Sequence, residues 1–581
     1  MKVYLTGCSV VMMALAVALP AQGTPAETPF SMGVYMYDYQ MANAAFAEGK
    51  TYSVFFEEHM AKLKANGVNS LYLATGQERF SQSLSLAKQY NMTLVPQLDF
   101  AYFNSSWTDA QLDANAQVAG DFINANDDPA ILAWSVKEEA DPSDMVRLAE
   151  YYTKIREVAP NAEFNTIHRS LTAAQNQSSP DPAISGTDRY AFWWEVSGGG
   201  YLASPASALN WTRSQAALFQ PESAQRGADF MLVTTQGGML MPAWANQIAN
   251  DASDPLMMAE VRQLAADGRM GWKDYDTPYG ERFNVWKYYR NPGNTTKALA
   301  WIGVLEGAKH VFNWHYDPQI VDTDIEQSAS QATLPNAVFW NTLAGRPGMA
   351  NPELAEFGEA SQEIREYERI ITNMTKLSDS PVDTQESYTY VNAFSFPGLN
   401  GKVVVVQNSN VGTWPTNKYT FADSDPIFID DEGNLVGYVP FTNPMTINIA
   451  FKAGETPVDV FDIATGLQIP AQGTNYGVDI LPGSGKLLFL GTSVEALLLH
   501  GMMGAIGLAD LPGDFDNNNV VDGADFLLWQ RDPNIGDLAD WEANYGAPGA
   551  VSAFAQVPEP ASLLLMLLGM VPVCRFRTRR D

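Results

Sequence analysis

The feature that most constrains the fold is a regular alternation of strand-like and helix-like segments that begins at Phe30. The helix predicted at about Tyr52–Asn66 is typical, because Phe56, Met60 and Leu63 recur at helical spacing and Gly67 follows its end. Strand-like runs are predicted at Met32–Tyr39, Ser70–Ala74, Thr93–Phe100, from Ile131, and at Glu163–His168, Arg189–Val196, Asp229–Gln236 and His310–Tyr316. Strands that alternate with helices in this way predict an α/β fold, a parallel (β/α)8 TIM barrel, over residues 30–372.

After the barrel the pattern changes to short alternating strands that are separated by Gly, Pro and Asn. These strands predict an all-β sandwich over residues 378–494, followed by a linker at 495–511.

The net charge is strongly negative, at −31 with a sequence pI of about 4.4. So acidic a surface repels nucleic acid and anionic membranes, and neither is expected as a partner. The two cysteines, Cys8 and Cys574, lie near the two ends of the chain. If both are removed by processing, disulfides and cysteine chemistry are excluded.

The first residues are typical of a secretory signal peptide, predicted at 1–23. Lys2 precedes an apolar run from Val10 to Leu19, and small residues follow. The chain is therefore expected to be exported.

The C-terminus contains Val557-Pro-Glu-Pro-Ala-Ser562, an apolar run from Leu563 to Val573 and four arginines after it. This order resembles the Pro-Glu-Pro C-terminal (PEP-CTERM) sorting signal of exosortase systems. The resemblance covers residues 557–581 and implies a transient membrane anchor, an exosortase-type processing enzyme as a partner, and a cell-surface or extracellular location. An ordinary C-terminal anchor is the alternative.

The segment Gly513-Asp-Phe-Asp-Asn-Asn-Asn-Val-Val-Asp-Gly-Ala-Asp525 places oxygen atoms at the spacing of an EF-hand loop. The predicted Ca²⁺ ligands are Asp514, Asp516, Asn518, the carbonyl of Val520, Asp522 and Asp525. Asp at the last position resembles a dockerin loop, which implies a small EF-hand/dockerin-like helical segment at 512–548 and a possible cohesin-like or cell-surface partner. A solvated acidic turn without a metal is the alternative, and no cofactor is expected for catalysis.

The fourth predicted strand, Ile131-Leu-Ala-Trp-Ser-Val-Lys-Glu-Glu139, ends in two adjacent carboxylates. With a period of two residues, Ala133, Ser135, Lys137 and Glu139 face the barrel interior, while Glu138 leans outward. The alternation therefore favours Glu139 as the catalytic acid.

Barrel enzymes place their reacting groups at the C-terminal ends of the strands. The further substrate-binding candidates at these ends are Asp38, Asp99, Lys137, His168, Trp193, Trp194, Gln236, Asn313, Trp314, His315 and Asp317. Carboxylates and aromatic residues dominate this set, and it lacks a phosphate-binding glycine loop and a Ser-His nucleophile pair. Glycoside hydrolysis, which requires two carboxyl groups, is the chemistry that remains.

The segment Asp128-Pro-Ala-Ile-Leu-Ala-Trp-Ser-Val-Lys-Glu-Glu139 resembles the fourth strand of clan A glycoside hydrolases, and Gly307-Ala-Lys-His-Val-Phe-Asn-Trp314 resembles their eighth. The resemblance implies that Glu139 is the acid/base. The chain departs from the pattern where Glu138 replaces an Asn, and where Gln236 ends the seventh strand in place of the nucleophile. Glu195 is therefore the predicted second carboxylate, with Asp317 and Asp99 in reserve.

Together these features predict an exported glycoside hydrolase that acts on a polysaccharide or oligosaccharide. The alternative is a surface glycan-binding or matrix protein that retains the scaffold without catalysis, which Gln236 motivates.

Overall fold

The computed structural model describes residues 29–189, 204–235, 237–240, 271–277, 280–314, 316, 352–413 and 437–503, and residues 526, 529, 530, 538, 541 and 545 beyond them. Eight parallel strands close into a barrel in the order β1-β11-β7-β6-β5-β4-β3-β2. These strands are β1 (Ser31–Tyr37), β2 (Ser70–Thr75), β3 (Thr93–Leu98), β4 (Trp134–Ser135), β5 (Phe164–Ile167), β6 (Ile184–Asp188), β7 (Asp229–Thr235) and β11 (His310–Trp314). The predicted TIM barrel is confirmed.

Helices follow the barrel strands along the chain. They are α1 (Asp38–Ala47), α2 (Tyr52–Ala65), α3 (Gln77–Gln89), α4 (Asp109–Ala125), α5 (Met145–Val158), α6 (Leu171–Gln175), α7 (Pro205–Gln225), α8 (Thr295–Leu305), α9 (Pro352–Arg365), α10 (Glu368–Asn373) and, after the β domain, α11 (Ser493–Gly501). A three-stranded antiparallel sheet of β8 (Gly237–Leu240), β9 (Gly271–Thr277) and β10 (Gly280–Arg290) lies between the seventh and eighth barrel strands in the chain.

The sixth barrel strand was predicted at Arg189–Val196, and that position is wrong. The strand that pairs with both β5 and β7 is Ile184–Asp188. Its sequence, Ile-Ser-Gly-Thr-Asp, has few large apolar residues, whereas the next segment is rich in aromatics. A Cβ at Gly186 would lie 2.9 Å from the Cβ of Met231, so this strand packs by close backbone approach and not by apolar bulk.

Two apolar cores separate at the barrel wall. Inside the barrel, Tyr35, Tyr72 and Phe312 belong to one cluster, and the rings of Tyr35 and Tyr72 stack with centroids 4.5 Å apart. Outside it, Trp134 and Val136 join the cluster between the strands and the helices. The barrel interior is therefore packed, and a ligand is expected at the ends of the strands.

The chain after the barrel forms two facing antiparallel sheets, which is consistent with the predicted sandwich. The first contains β12 (Thr375–Lys376), β14 (Thr389–Ser395), β15 (Lys402–Asn408), β23 (Gly485–Gly491), β19 (Asp459–Asp462) and β20 (Leu467–Gln468), and the second contains β13 (Val382–Thr384), β18 (Met445–Phe451), β22 (Asn475–Ile480) and β21 (Ala471–Gln472). A small separate ribbon joins β16 (Gly412–Thr413) to β17 (Val439–Pro440). Val404, Ile447 and Leu488 are buried in the core between the two larger sheets.

The barrel and the sandwich share an interface at the end of α8. The carboxylate of Glu306 is fully buried and pairs with Lys376, with Arg213 at 3.4 Å, and with the amide of Asn392 at 3.2 Å. The Trp301 ring packs against Gly485, where an added Cβ would lie 2.5 Å from the ring. The two domains are therefore joined by both apolar and charged contacts.

The predicted calcium ligands Asp514, Asp516, Asn518, Val520, Asp522 and Asp525 lie outside the described residues. Of the segment around them, the structure describes a ring contact between Phe526 and Trp541, whose centroids lie 4.9 Å apart. No described helix is long and apolar enough to cross a membrane. Within the described ranges, no group of three or more His, Cys, Asp or Glu residues is arranged to hold a metal ion.

Candidate active site

A cleft of about 660 Å³ opens at the C-terminal ends of the barrel strands. Its walls contain four carboxylic acids, three cations and four aromatic rings: Glu138, Glu139, Asp141, Asp188, Lys137, Arg169, Arg189, Tyr37, Tyr102, Trp211 and Trp314. A cleft of this size and composition is suited to a small polar ligand with faces on which aromatic rings can stack.

The prediction that Glu138 leans outward is wrong, because β4 leaves the sheet three residues before it. Ser135 faces the interior as expected, where its Oγ accepts a hydrogen bond from the Tyr72 hydroxyl at 2.6 Å. The strand ends at that residue, and the alternation of faces has no meaning beyond it. Glu138 then turns toward the barrel axis, where its Oε2 lies 3.1 Å from the Tyr35 hydroxyl.

Glu139 has a left-handed backbone, with φ of 46°. This conformation is unfavourable for a glutamate, since a non-glycine residue is strained there. Ala140, directly after it, rejoins the barrel by a bridge to His168. The reversal places the Glu139 side chain, which is exposed, in the cleft beside Glu138.

Tyr102 holds the backbone of Glu138 in place. Its hydroxyl accepts a hydrogen bond from the Glu138 amide at 3.0 Å and donates one to the Glu138 carbonyl at 3.1 Å. The Lys137 ammonium lies over the same ring, 5.4 Å from its centroid, and 3.7 Å from the Asp144 carboxylate. One tyrosine therefore orders both residues that precede Glu139.

Burial raises the pKa of Glu138 to about 7, and the charge of Glu139 adds to the effect. A hydrogen bond donated by Tyr35 to the ionised carboxylate would lower this pKa, as the charge of Lys137 does, whereas the charge of Asp99 raises it further. A carboxylic acid that keeps its proton close to neutral pH is able to act as a general acid.

Asp188, at the end of β6, forms a carboxyl pair with Glu139. Burial raises the pKa of Asp188, and the hydrogen bond and the charge of Glu139 raise it further, against the opposing charge of Arg189. Two carboxyl groups in hydrogen-bond contact hold one proton between them. Because Asp188 is the buried partner, its carboxyl group carries this proton in the hydrogen bond to Glu139.

Of the residues predicted from the sequence, Glu139, Lys137 and Trp314 line the cleft. Asp99 does not line it, and its Oδ1 accepts a hydrogen bond from the Gln97 amide at 2.9 Å. Asp99 is therefore an exposed residue directly after β3 that contacts Gln97 and is not part of the cleft lining.

Asp38, His168 and Asn313 are not among the residues that line the cleft, and their contact with substrate stays a prediction. The Asp38 carboxylate is 2% exposed and accepts hydrogen bonds from Thr75 Oγ1 at 2.8 Å and from the Gly76 amide at 3.0 Å. His168 is buried, and this burial lowers its pKa to about 3, so its ring stays neutral. Asn313 is also fully buried.

The remaining predicted site residues, Glu195, Trp193, Trp194, Gln236, His315 and Asp317, lie outside the described residues.

Eight residues of the cleft lining are not among the predicted site residues: Tyr37, Tyr102, Glu138, Asp141, Arg169, Asp188, Arg189 and Trp211. Asp188 was overlooked because the sixth strand was placed after it, although an Asp that follows a short buried segment is a usable signal. Tyr102 lies in a loop and Trp211 lies in a helix, so a search of the strand ends does not include them. Trp211 is 43% exposed at the cleft wall, and no sequence pattern distinguishes it from a core residue of α7.

No protein-family model and no curated protein sequence matches the chain. Among solved structures, the chain is similar to AmyP in complex with maltose, with a TM-score of 0.38 and 9% identity over 75% of this chain and 89% of that chain. It is also similar to a glycoside hydrolase family 5 mannosidase from Rhizomucor miehei, with a TM-score of 0.36 and 10% identity over 58% of this chain and 94% of that one. An Anoxybacillus alpha-amylase gives a TM-score of 0.35 and 6% identity over 80% and 96% of the two chains. The fold assignment itself rests on the strand pairing.

Proposed function

We propose that this protein is an exported glycoside hydrolase that cleaves a polysaccharide or oligosaccharide by acid/base catalysis with two carboxyl groups. The observation that carries the proposal is the cleft at the strand ends, where Glu138, Glu139 and Asp188 meet two exposed or partly exposed tryptophans. Glycosidic bond cleavage requires two carboxyl groups at one sugar, one of them protonated, and the adjacent Glu138 and Glu139 are our candidates for these roles.

In this mechanism Glu138 is the general acid in place of Glu139. Its proton passes to the glycosidic oxygen as the bond to the anomeric carbon breaks. The Glu139 carboxylate stabilises the positive charge at that carbon, and it attacks the carbon or removes a proton from the attacking water. Asp188 donates its hydrogen bond to Glu139 and fixes the direction in which that carboxylate points.

Trp211 and Trp314 supply flat apolar faces on which sugar rings stack. Trp211→Ala is expected to raise the KM for glycan several-fold with a smaller change in kcat, since the tryptophan contacts substrate and not the reacting bond. An unchanged KM would remove Trp211 from the substrate site.

The main test is hydrolysis of a panel of plant and algal glycans by wild type, Glu138→Gln, Glu139→Gln and Glu157→Gln. Glu157, exposed on α5, is the matched control. Both cleft variants are expected to lose on the order of 10²–10⁴-fold in kcat, while the control retains wild-type activity. Equal activity in all four proteins would overturn the mechanism, and glycan binding without turnover by the wild type would favour the non-catalytic alternative.

Export and calcium binding are part of the same proposal. The two terminal signals support a cell-surface or extracellular location after cleavage by an exosortase-type enzyme, and Asp514 to Asp525 support a structural Ca²⁺ site with a cohesin-like or cell-surface partner. Calorimetric titration of the full chain with Ca²⁺ should show one binding event that Asp514→Ala with Asp525→Ala abolishes. Absence of heat in the wild type would reduce the segment to a spacer.

A further inference from the structure

A series of hydrogen bonds connects Glu138 in the cleft, through Tyr35 and Gln97 in the barrel interior, to Asp99 directly after β3. Glu138 Oε2 lies 3.1 Å from the Tyr35 hydroxyl, which lies 2.8 Å from Gln97 Oε1. The Nε2 atom of Gln97 lies 2.9 Å from Asp99 Oδ1. Tyr35 and Gln97 are almost completely buried, at 0% and 4% exposure, so water does not replace the contact between them, whereas Asp99 at the end of the series is exposed.

The chemistry of each group gives this series of hydrogen bonds a direction. An ionised carboxylate only accepts hydrogen bonds, so Asp99 must receive one from the NH₂ group of Gln97. This contact fixes the Gln97 amide with its oxygen toward Tyr35, and the tyrosine hydroxyl then donates to that oxygen. A hydroxyl has one proton, so the Tyr35 oxygen has only a lone pair left for Glu138. The protonated carboxyl group of Glu138 is therefore the donor in this contact.

If Asp99 loses its charge, the hydrogen bonds between Gln97, Tyr35 and Glu138 are able to run in the opposite direction. The Gln97 amide is then free to turn, with its NH₂ group toward the Tyr35 oxygen. Tyr35 donates its proton to Glu138 in that arrangement, which stabilises the ionised carboxylate.

We propose that Asp99 is a positioning residue that keeps Glu138 protonated by fixing the direction of the hydrogen bonds through Gln97 and Tyr35. Only the catalytic consequence of this inference rests on the proposed function. Asp99 is also predicted from the sequence as a substrate-binding residue and a reserve catalytic carboxylate, and the role proposed here does not require it to contact substrate.

Other charged and titratable groups also face Glu138. The direct effect of their charges on its protonation must be separated from the effect of the hydrogen bonds through Gln97 and Tyr35. These groups are Glu139 and Lys137 on the same segment, Tyr35 on β1, Tyr72 on β2, Tyr102 after β3, and Asp99 itself. The Asp99 charge raises the pKa of Glu138 directly as well. Loss of the charge alone would therefore lower that pKa even if the hydrogen bonds had no role.

A double-mutant cycle separates the two effects. The titration midpoint of Glu138 is measured by carbon-detected NMR of protein labelled at the glutamate side-chain carboxyl, with Glu138→Gln to assign the signal. Asp99→Asn is expected to lower the midpoint by on the order of one pH unit. The Tyr35→Phe substitution removes the hydroxyl that links Gln97 to Glu138. In that background, Asp99→Asn is expected to shift the midpoint by less than half as much.

Two matched controls accompany the cycle. Asp121→Asn removes an exposed carboxylate of α4 that takes no part in these hydrogen bonds, and it should leave the titration midpoint of Glu138 unchanged. Tyr72→Phe removes a buried hydroxyl from the neighbouring strand that bonds Ser135 instead, and the shift caused by Asp99→Asn should persist in that background.

The inference is overturned if Asp99→Asn leaves the midpoint in place, or if its shift is equally large with Tyr35→Phe. The pH profile of kcat/KM provides a second reading, since the alkaline limb should move with the NMR midpoint. If the midpoint moves as expected and no glycan is cleaved by the wild type, the hydrogen-bond inference stands and the proposed function fails.

Discussion

At the scale of single residues, two adjacent glutamates are placed in opposite environments. Glu138 lies against a buried tyrosine and has a pKa raised to about 7, whereas Glu139 is exposed and accepts a hydrogen bond from Asp188. In the proposed mechanism, the division into acid and base follows from local burial and not from the residue type.

The pH dependence of activity should report this division. Glu138 carries its proton below a pKa of about 7 and loses it above, so kcat/KM is expected to fall tenfold per pH unit above roughly pH 7. The measurement is a pH profile on the best glycan substrate, with stability checked at each pH. Activity that continues to rise through pH 9 would contradict Glu138 as the acid.

At the scale of elements, the shortness of β4 controls the site. Only Trp134 and Ser135 form its ladder, and the segment that follows is held by Tyr102 and by the bridge from Ala140 to His168. A regular strand of greater length would have sent Glu138 outward, as the sequence periodicity predicts.

The close packing of α4 on α5 depends on Gly120. A Cβ at this position would lie 2.5 Å from the Cβ of Val158, so Gly120→Ala forces the helices apart and is expected to lower the free energy of unfolding by about 1–3 kcal/mol. Urea denaturation measures the change, with Gln117→Ala on an exposed face of the same helix as control. If Gly120→Ala has a free energy of unfolding equal to or above that of the wild type, close packing of α4 on α5 does not depend on this glycine.

Glu356 on α9 should make stability depend on pH. Burial raises its pKa to about 7, against the hydrogen bond that it accepts from the Asn294 amide at 2.8 Å. Since the folded pKa exceeds the ordinary value near 4.5, its stabilising effect is complete below about pH 4.5 and is lost as the pH rises through about 7.

Glu356→Gln removes this dependence and keeps an acceptor for Asn294. The variant is expected to be more stable than wild type by about 1–2 kcal/mol at pH 8, with little difference at pH 5. Urea denaturation at both pH values tests it, and Glu366→Gln, at an exposed position, is the control. The same difference at pH 5 and pH 8 would exclude titration of Glu356 as the cause.

At the scale of the whole molecule, the β-sandwich is joined to the barrel through a buried carboxylate. The Glu306 carboxylate forms ion pairs with Arg213 of the barrel and Lys376 of the sandwich, and it accepts a hydrogen bond from Asn392 of the sandwich. Such a pair contributes little to stability by itself, yet removal of one partner leaves uncompensated charges in a buried site.

Glu306→Ala is therefore expected to lower the free energy of unfolding by about 3–5 kcal/mol and to separate the unfolding of the two domains. Differential scanning calorimetry should show one transition in the wild type and two in the variant. Glu157→Ala, at an exposed site, should change stability by less than about 0.5 kcal/mol. A single unshifted transition in Glu306→Ala would mean that the domains are held by apolar contacts such as Trp301 on Gly485 alone.

The sequence by itself determined the barrel and the β-rich region after it, because each strand and helix carries its own local periodicity of apolar residues. It also located Glu139, Lys137 and Trp314 at the end of strands, where the cleft is. Only the tertiary structure decided that Glu138 faces inward, that Asp188 meets Glu139, and that Asp99 is hydrogen-bonded to Gln97. The physical reason is that these facts depend on where β4 leaves the sheet and on which side chains approach from β1, β3 and β6, and no local pattern contains that information.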